Sequence, residues 1–272
     1  MTLVKKILLL FLTFFALFTV VFVYISDAIW QNGYLRLEHR EVQLETKRAQ
    51  LAMDGELSRL HTLVEDWGPW DDTYDFARTL NPSFVQKNLS EAALTNMKLS
   101  YVLVVAPDGR PLYEQAFDLS TNKYAAPGPG QAQAIAQLTP LSDAQEKGLS
   151  GLLRLPDGTP LLVTSHPILT SERAGPPRGT LWFARRADAD YLQELSNLVQ
   201  GDLFWSEPHL PVREESSDTV YARWEMPVLD AGEPLALGLT VPRAIVQAGQ
   251  AQHRAFLMFS PALTPSSFQL YL

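Results

Sequence analysis

The 272 residues include no cysteine. That absence excludes a disulfide framework, a thiolate zinc site, an iron–sulfur cluster and a cysteine nucleophile together. Histidine is sparse: His39, His61, His166, His209 and His253 are scattered, and no two share the one-turn spacing of paired metal ligands. A Walker loop, a nucleophile elbow, a His-Glu-x-x-His motif and a dinucleotide fingerprint are all missing. Gly128-Pro129-Gly130 offers too few amides to cradle a phosphate. Positive charge is also in deficit, with 22 Lys and Arg against 30 Asp and Glu and a net charge of −8. Binding a nucleic-acid backbone needs a concentrated basic surface, so no nucleic-acid partner is expected. Nor is a catalytic set, a metal site or a cofactor expected, and the chain reads as a non-enzyme.

What is present is an apolar run. Residues 7–25 carry no charge, follow Lys5 and Lys6, and at about 1.5 Å per residue match a bilayer core of roughly 30 Å. Tyr24 and Trp30 stand where an interfacial aromatic belt would sit. A cleaved signal peptide is the rival reading, with Ser26-Asp27-Ala28 as a poor cleavage site; its apolar core is usually shorter, about 7–15 residues. The favoured reading is an uncleaved anchor, with residues 1–6 as a cytoplasmic tip and everything after Trp30 exported. Residues 255–272 are uncharged and follow His253 and Arg254, but Pro261 and Pro265 make them a weak or incomplete second span.

Between these ends the pattern changes several times. Residues 34–67 read as a long stalk helix. Leu37, Leu44 and Leu51 repeat at seven, and Met53, Leu57, Leu60, Val64 and Trp67 follow at fours and threes, with Glu, Lys and Arg assigned to the outer face. The register slips at Asp54-Gly55, so the lower seam is expected to join two copies and the upper one to join the domain core. Gly68-Pro69 ends the helix. Asp71, Asp72 and Thr73 offer caps for a short helix, with two more over 83–88 and 90–97, the last capped by Ser90. The period then becomes two. Strands are expected at 101–106 and 111–117 around Pro107-Asp108-Gly109, then a loop over 124–130 and short helices over 131–147 broken at Pro140. Strands at 148–155, 159–169 and 179–186 follow, then a helix over 191–199 capped by Asp188 or Asp190. The last strands are placed at 202–206, 219–229 and 234–242. The expected fold is α+β: an antiparallel sheet of about five strands with helices on one face, plus a smaller αβ portion over 201–250. That order is similar to PAS-like extracellular sensors.

Residues 65–88, EDWGPWDDTYDFARTLNPSFVQKN, resemble the signature of the fourth type of CHASE domain, carried by Asp66, Trp67, Trp70, Asp71, Asp72, Thr73, Tyr74 and Phe76 with Asn88-Leu89 downstream. The resemblance extends through Pro107-Asp108-Gly109, Gly151, His166-Pro167-Ile168, Gly175-Pro176 and Gly179 to Arg185, with Leu229-Asp230 and Pro242-Arg243 beyond. It implies a sensor core over 54–200 of an extracytoplasmic input region in a membrane receptor. The family's usual cytoplasmic output module has no counterpart here, so signalling is expected either to use a separate cytoplasmic output protein or to belong to a longer receptor of which this chain is a shortened form. A membrane-anchored envelope interaction module without signalling is the alternative. The expected partners are a small-molecule ligand, a second copy through the stalk, and the inner membrane, with the sensor facing the periplasm or exterior.

One constellation is dense enough to bind something: Trp67, Trp70, Asp71, Asp72 and Tyr74. It reads structurally as tryptophans wedging the stalk onto the sheet. It reads functionally as rings and a carboxylate around a cationic or polyhydroxy ligand. The ligand-site residues named on the functional reading are Trp67, Trp70, Asp71 and Tyr74, with His166 and Arg185 on strands facing the same cavity.

Overall fold

A computed structural model describes residues 2–143, 148–207, 210–230 and 232–259. The first helix, α1, runs unbroken over Leu3–Trp67, so anchor and stalk are one element and Asp54-Gly55 interrupts nothing. Its Leu3–Ser26 portion has a mean hydropathy of 2.7 and buries nothing against the rest of the chain. Thr13 and Thr19 donate their hydroxyls to the carbonyls of Leu9 and Phe15, at 3.0 and 2.8 Å, which hides their polarity. Such a helix is long and apolar enough to cross a membrane. The Trp30 side chain and residues 260–272, most of the expected second span, lie outside the described residues.

Above the apolar portion, α1 packs on its own chain for most of its length. Val42, Ala49, Met53, Leu60 and Val64 are buried, while Leu37, Leu44 and Leu51 lie on another face, 53%, 47% and 55% exposed. The charge pattern corrects the sequence reading. Glu38 and Glu45 are inside, not on the outer face, because each has a cation or amide waiting for it. Arg243 donates to both oxygens of Glu38 at 2.9 and 3.0 Å. Glu45 takes Arg48 and the Gln200 amide.

After Gly68-Pro69 come α2 (Asp71–Thr79), α3 (Pro82–Asn88) and α4 (Glu91–Met97). Trp70 occupies the cap position of α2. Asp71 and Asp72 therefore fall in its first turn, where acids complement the helix dipole rather than cap it. Asn81 and Ser90 cap α3 and α4 through the amides of Ser83 and Ala93.

The first sheet contains β1 (Tyr101–Val105), β2 (Pro111–Asp118), β3 (Lys123–Ala125), β4 (Ser150–Arg154), β5 (Pro160–Pro167) and β6 (Thr180–Arg186). Its order is β3-β2-β1-β6-β5-β4, antiparallel throughout. The β1–β2 and β4–β5 turns are both Pro-Asp-Gly, with Gly109 and Gly158 at φ of 83° and 86°, a region that side chains other than glycine rarely adopt. Alternation sends Val102, Val104, Leu162, Leu181 and Phe183 toward α1–α4. It sends Tyr101, Leu103, Leu161, Val163 and Trp182 toward α5 (Gln131–Ala136) and α6 (Thr139–Asp143). Helices thus cover both faces, not one. The α5–α6 break falls before Pro140, which sits inside the first turn of α6, where its missing amide costs nothing. Residues 144–147 of the expected helical stretch lie outside the described residues.

Helix α7 (Ala189–Ser196), capped by Asp188, leads into a second sheet of β7 (Asp202–Ser206), β8 (Arg213–Glu215), β9 (Thr219–Met226) and β10 (Leu235–Pro242). Its order is β7-β10-β9-β8. Leu203, Val220, Leu237 and Leu239 from this sheet share one core with α1 and α7. Past β9, the Leu229 amide donates to the Leu152 carbonyl at 2.8 Å, tying the chain onto the β4 edge. The last helix, α8 (Ala244–Phe259), returns along α1 and takes in the start of the expected second span. Gly249 permits the contact: a Cβ there would stand 2.5 Å from the Tyr34 ring.

Candidate functional site

The C-terminal residue of α1 opens an aromatic cluster. The Trp67 ring meets Trp70, Phe183 and Phe84 edge-on at centroid distances of 5.7, 5.6 and 6.4 Å. Phe84 in turn stacks on Phe76 at 4.5 Å, and Phe76 meets Tyr113 at 5.2 Å. These rings nearly fill the space between α1–α3 and the sheet. The void left among Trp67, Thr73, Phe84 and Phe183 is about 10 Å³, room for about one water. Two buried hydroxyls, Thr73 Oγ1 in its lining and Tyr113 OH next to Phe76, have no hydrogen-bond partner among the described residues. Burial, with the charge of Tyr124 second, pushes the Tyr113 phenol up to about 12.

Outside the rings the corner is latched to the loop between β5 and β6. Asp71 Oδ1 accepts from the Ser171 amide at 3.0 Å, and the Asp71 amide donates back to Ser171 Oγ at 3.2 Å. Arg178 lies over the Tyr74 ring with its guanidinium carbon 4.4 Å from the centroid. His166, at the end of β5, is buried beneath Gly68, where a Cβ would come within 2.4 Å of the imidazole Nδ1. That Nδ1 donates to the Pro167 carbonyl at 2.8 Å. Burial holds the His166 pKa below its ordinary value, against the opposing pull of that carbonyl.

Five of the six residues singled out from the sequence therefore meet at one corner: Trp67, Trp70, Asp71, Tyr74 and His166. Arg185 does not join them. It shares the sheet face with His166, yet its partner on α1 is Glu56, twelve residues before Gly68 and so ~18 Å away along the helix. There its Nη1 donates to Glu56 at 2.9 Å and its Nη2 to Glu194 of α7 at 2.8 Å, with Tyr191 beneath the guanidinium. Burial disfavours ionised Glu56, but hydrogen bonds from Arg59 and Arg185 outweigh it and hold its pKa below the ordinary value. Arg185 is a clamp between α1, β6 and α7. Sequence reasoning missed this role, as it missed the matching Arg243–Glu38 clamp near the other end of the domain. The available signal was a basic residue closing an otherwise apolar stretch in each case, TLWFAR and LGLTVPR.

Residues 52–204, more than half the chain, match the CHASE4 domain family. The chain belongs to that family. CHASE4 domains are extracellular sensory domains, and this one comprises the upper part of α1, the aromatic corner, the first sheet, α7 and the start of β7. A relative is the methanogenesis regulatory histidine kinase FilI of Methanothrix harundinacea, 30% identical over 228 residues, covering 78% of this chain. The match spans 26% of that kinase's own length. Two solved structures share the fold of the CHASE4 chain. The domain of a sensory box/GGDEF family protein from Vibrio parahaemolyticus superposes with a TM-score of 0.51 at 12% identity, over 76% of this chain and 97% of that one. The periplasmic domain of Vibrio cholerae LuxQ superposes with a TM-score of 0.50 at 13% identity, over 74% of this chain and 99% of that one.

Proposed function

We propose that the chain is the ligand-input region of a receptor in the cytoplasmic membrane. Helix α1 crosses the bilayer with Lys5 and Lys6 inside, and the two sheets face the periplasm or exterior. It acts by binding, not by turnover. A small ligand enters at the corner of Trp67, Trp70, Asp71, Tyr74 and His166. Because the remaining void holds only about one water, entry parts the Asp71–Ser171 latch and the Arg178–Tyr74 contact. The observation that carries this reading is the continuity of α1: the corner that would bind is the end of the same helix that would cross the membrane. Displacement at Trp67 then passes along α1, held to the domain by Arg185 and Arg243, to a second copy through Leu37, Leu44 and Leu51 and to a cytoplasmic output protein. A ligand biases that arrangement only by its differential affinity for two positions of α1.

A thermal-shift screen of the full chain in detergent against metabolite libraries tests the site. Hits are expected to disappear in Asp71→Asn, whose own melting temperature should stay close to the parent's because Asp71 is exposed. A screen without hits, or hits indifferent to Asp71→Asn, would remove the corner as the ligand site.

A further inference from the structure

A second, larger cleft lies well away from the aromatic corner. It opens between α1, the end of α7, β7 and the β10–α8 junction, with a volume of about 440 Å³. That size falls within the roughly 300–1,000 Å³ of small-molecule sites. Val42, Val199 and Val241, all buried, make one wall apolar. The rest is polar. Glu41 projects from α1, Asp202 begins β7, and the amides of Asn197 and Gln200 come from the turn between α7 and β7.

The charge balance of this lining is one-sided. Among the described residues that line the cleft there is no Lys, Arg or His, and the nearby Arg243 is engaged by Glu38. Glu38, also in the lining, is already neutralised by both hydrogen bonds from Arg243. Glu41 and Asp202 have no ion pair among the described residues, which leaves two carboxylates uncompensated beside an apolar wall. A divalent metal does not suit the place, since no group of three His, Cys, Asp or Glu among the described residues converges enough to hold one. The combination asks for N–H donors at the polar rim and methylenes against the valines.

We propose that this cleft binds a small organic cation, an alkyl ammonium or diammonium. Its donors reach Glu41 and Asp202 while its methylene chain lies on Val42, Val199 and Val241. Such a ligand touches α1, the second sheet and the start of α8 together, so occupancy braces the two helices that run side by side. Binding here uses none of the corner residues and does not depend on the corner taking a ligand.

The test is calorimetric titration of the full chain in neutral detergent with 1,5-diaminopentane, using 1,5-pentanediol and glutarate as controls. Saturable binding is expected for the diamine alone. Glu41→Gln and Asp202→Asn should each weaken it about tenfold, the loss of one charge-assisted hydrogen bond, without lowering the melting temperature. Glu172→Gln on an exposed loop should leave the affinity unchanged. The proposal is overturned by no saturable binding at millimolar diamine or by equal binding of the diol. It is overturned equally by an affinity indifferent to both cleft substitutions, or by one that Glu172→Gln weakens as much.

Discussion

His166 shows how a single close approach sets a titration. Gly68 brings the backbone of α1 down onto the imidazole, and burial makes the protonated ring costly. The folded pKa is therefore depressed below the ordinary 6.5. As pH falls through about 6.5 the unfolded chain takes up a proton that the folded chain refuses, so the unfolded state binds more protons and stability drops. Glu56 and Glu194, also depressed, start from an ordinary value of 4.5 and contribute their losses at lower pH. Between pH 6.5 and about 5 the melting temperature of the chain should fall, and in His166→Asn that slope should flatten. A parent whose melting temperature is level or rising across this interval would show that the ring is not buried as described. The same residue marks what sequence can reveal at this scale. His166 on a strand near the signature was legible, whereas Gly68 as its cover was not, because only tertiary packing sets the two together.

At the scale of elements, the first sheet was legible because strand-length apolar runs, buried on both faces in β1, β5 and β6, are bounded by two Pro-Asp-Gly turns. The misses have physical causes. Strands β3 and β8 are three residues each at sheet edges, β3 exposed throughout, so neither carries an apolar alternation to read. Helix α8 opens with Ala244-Ile245-Val246-Gln247 after Pro242-Arg243, with no Ser, Thr, Asp or Asn to announce it, so its start is silent in the sequence. The sidedness of α1 was misread because buried Glu38 and Glu45 break the rule that acids mark the solvent face, a rule that holds only when no cation is packed against them. Arg185 joins three elements in the same way, and its removal tests the clamp. Its side chain is 5% exposed and Glu56 is 13% exposed, so Arg185→Leu strands Glu56 with Arg59 alone. Breaking one side of a buried pair costs about 3 kcal/mol or more. Restoring charge balance with Glu56→Gln in the same chain should recover part of that loss, measured by urea unfolding. A single variant as stable as the parent would reduce Arg185 to an ornament of the sheet.

The whole molecule is organised by α1, which touches both sheets, α7 and α8 before entering its apolar portion. Two faces of this helix differ in exposure. The face of Val42, Ala49, Met53, Leu60 and Val64 is used up by the chain's own core, while Leu37, Leu44 and Leu51 stay about half-exposed at a strict spacing of seven. Three leucines alone make a weak seam. An apolar segment directly below them would confine two copies to one plane and raise their effective concentration, so association is expected in the membrane more than in detergent. Single cysteines placed in turn over residues 36–52 of the naturally cysteine-free chain, then oxidised in native membranes, read that arrangement directly. Cross-linking should peak at 37, 44 and 51 and fall to background at 38, 42, 45 and 49, which the domain's own core covers. Loss of the peaks on dilution into detergent, with the pattern intact in membranes, would match a seam that depends on its anchor. A flat profile across the scan would mean that α1 carries signals within one copy only, and the leucine face would need another occupant.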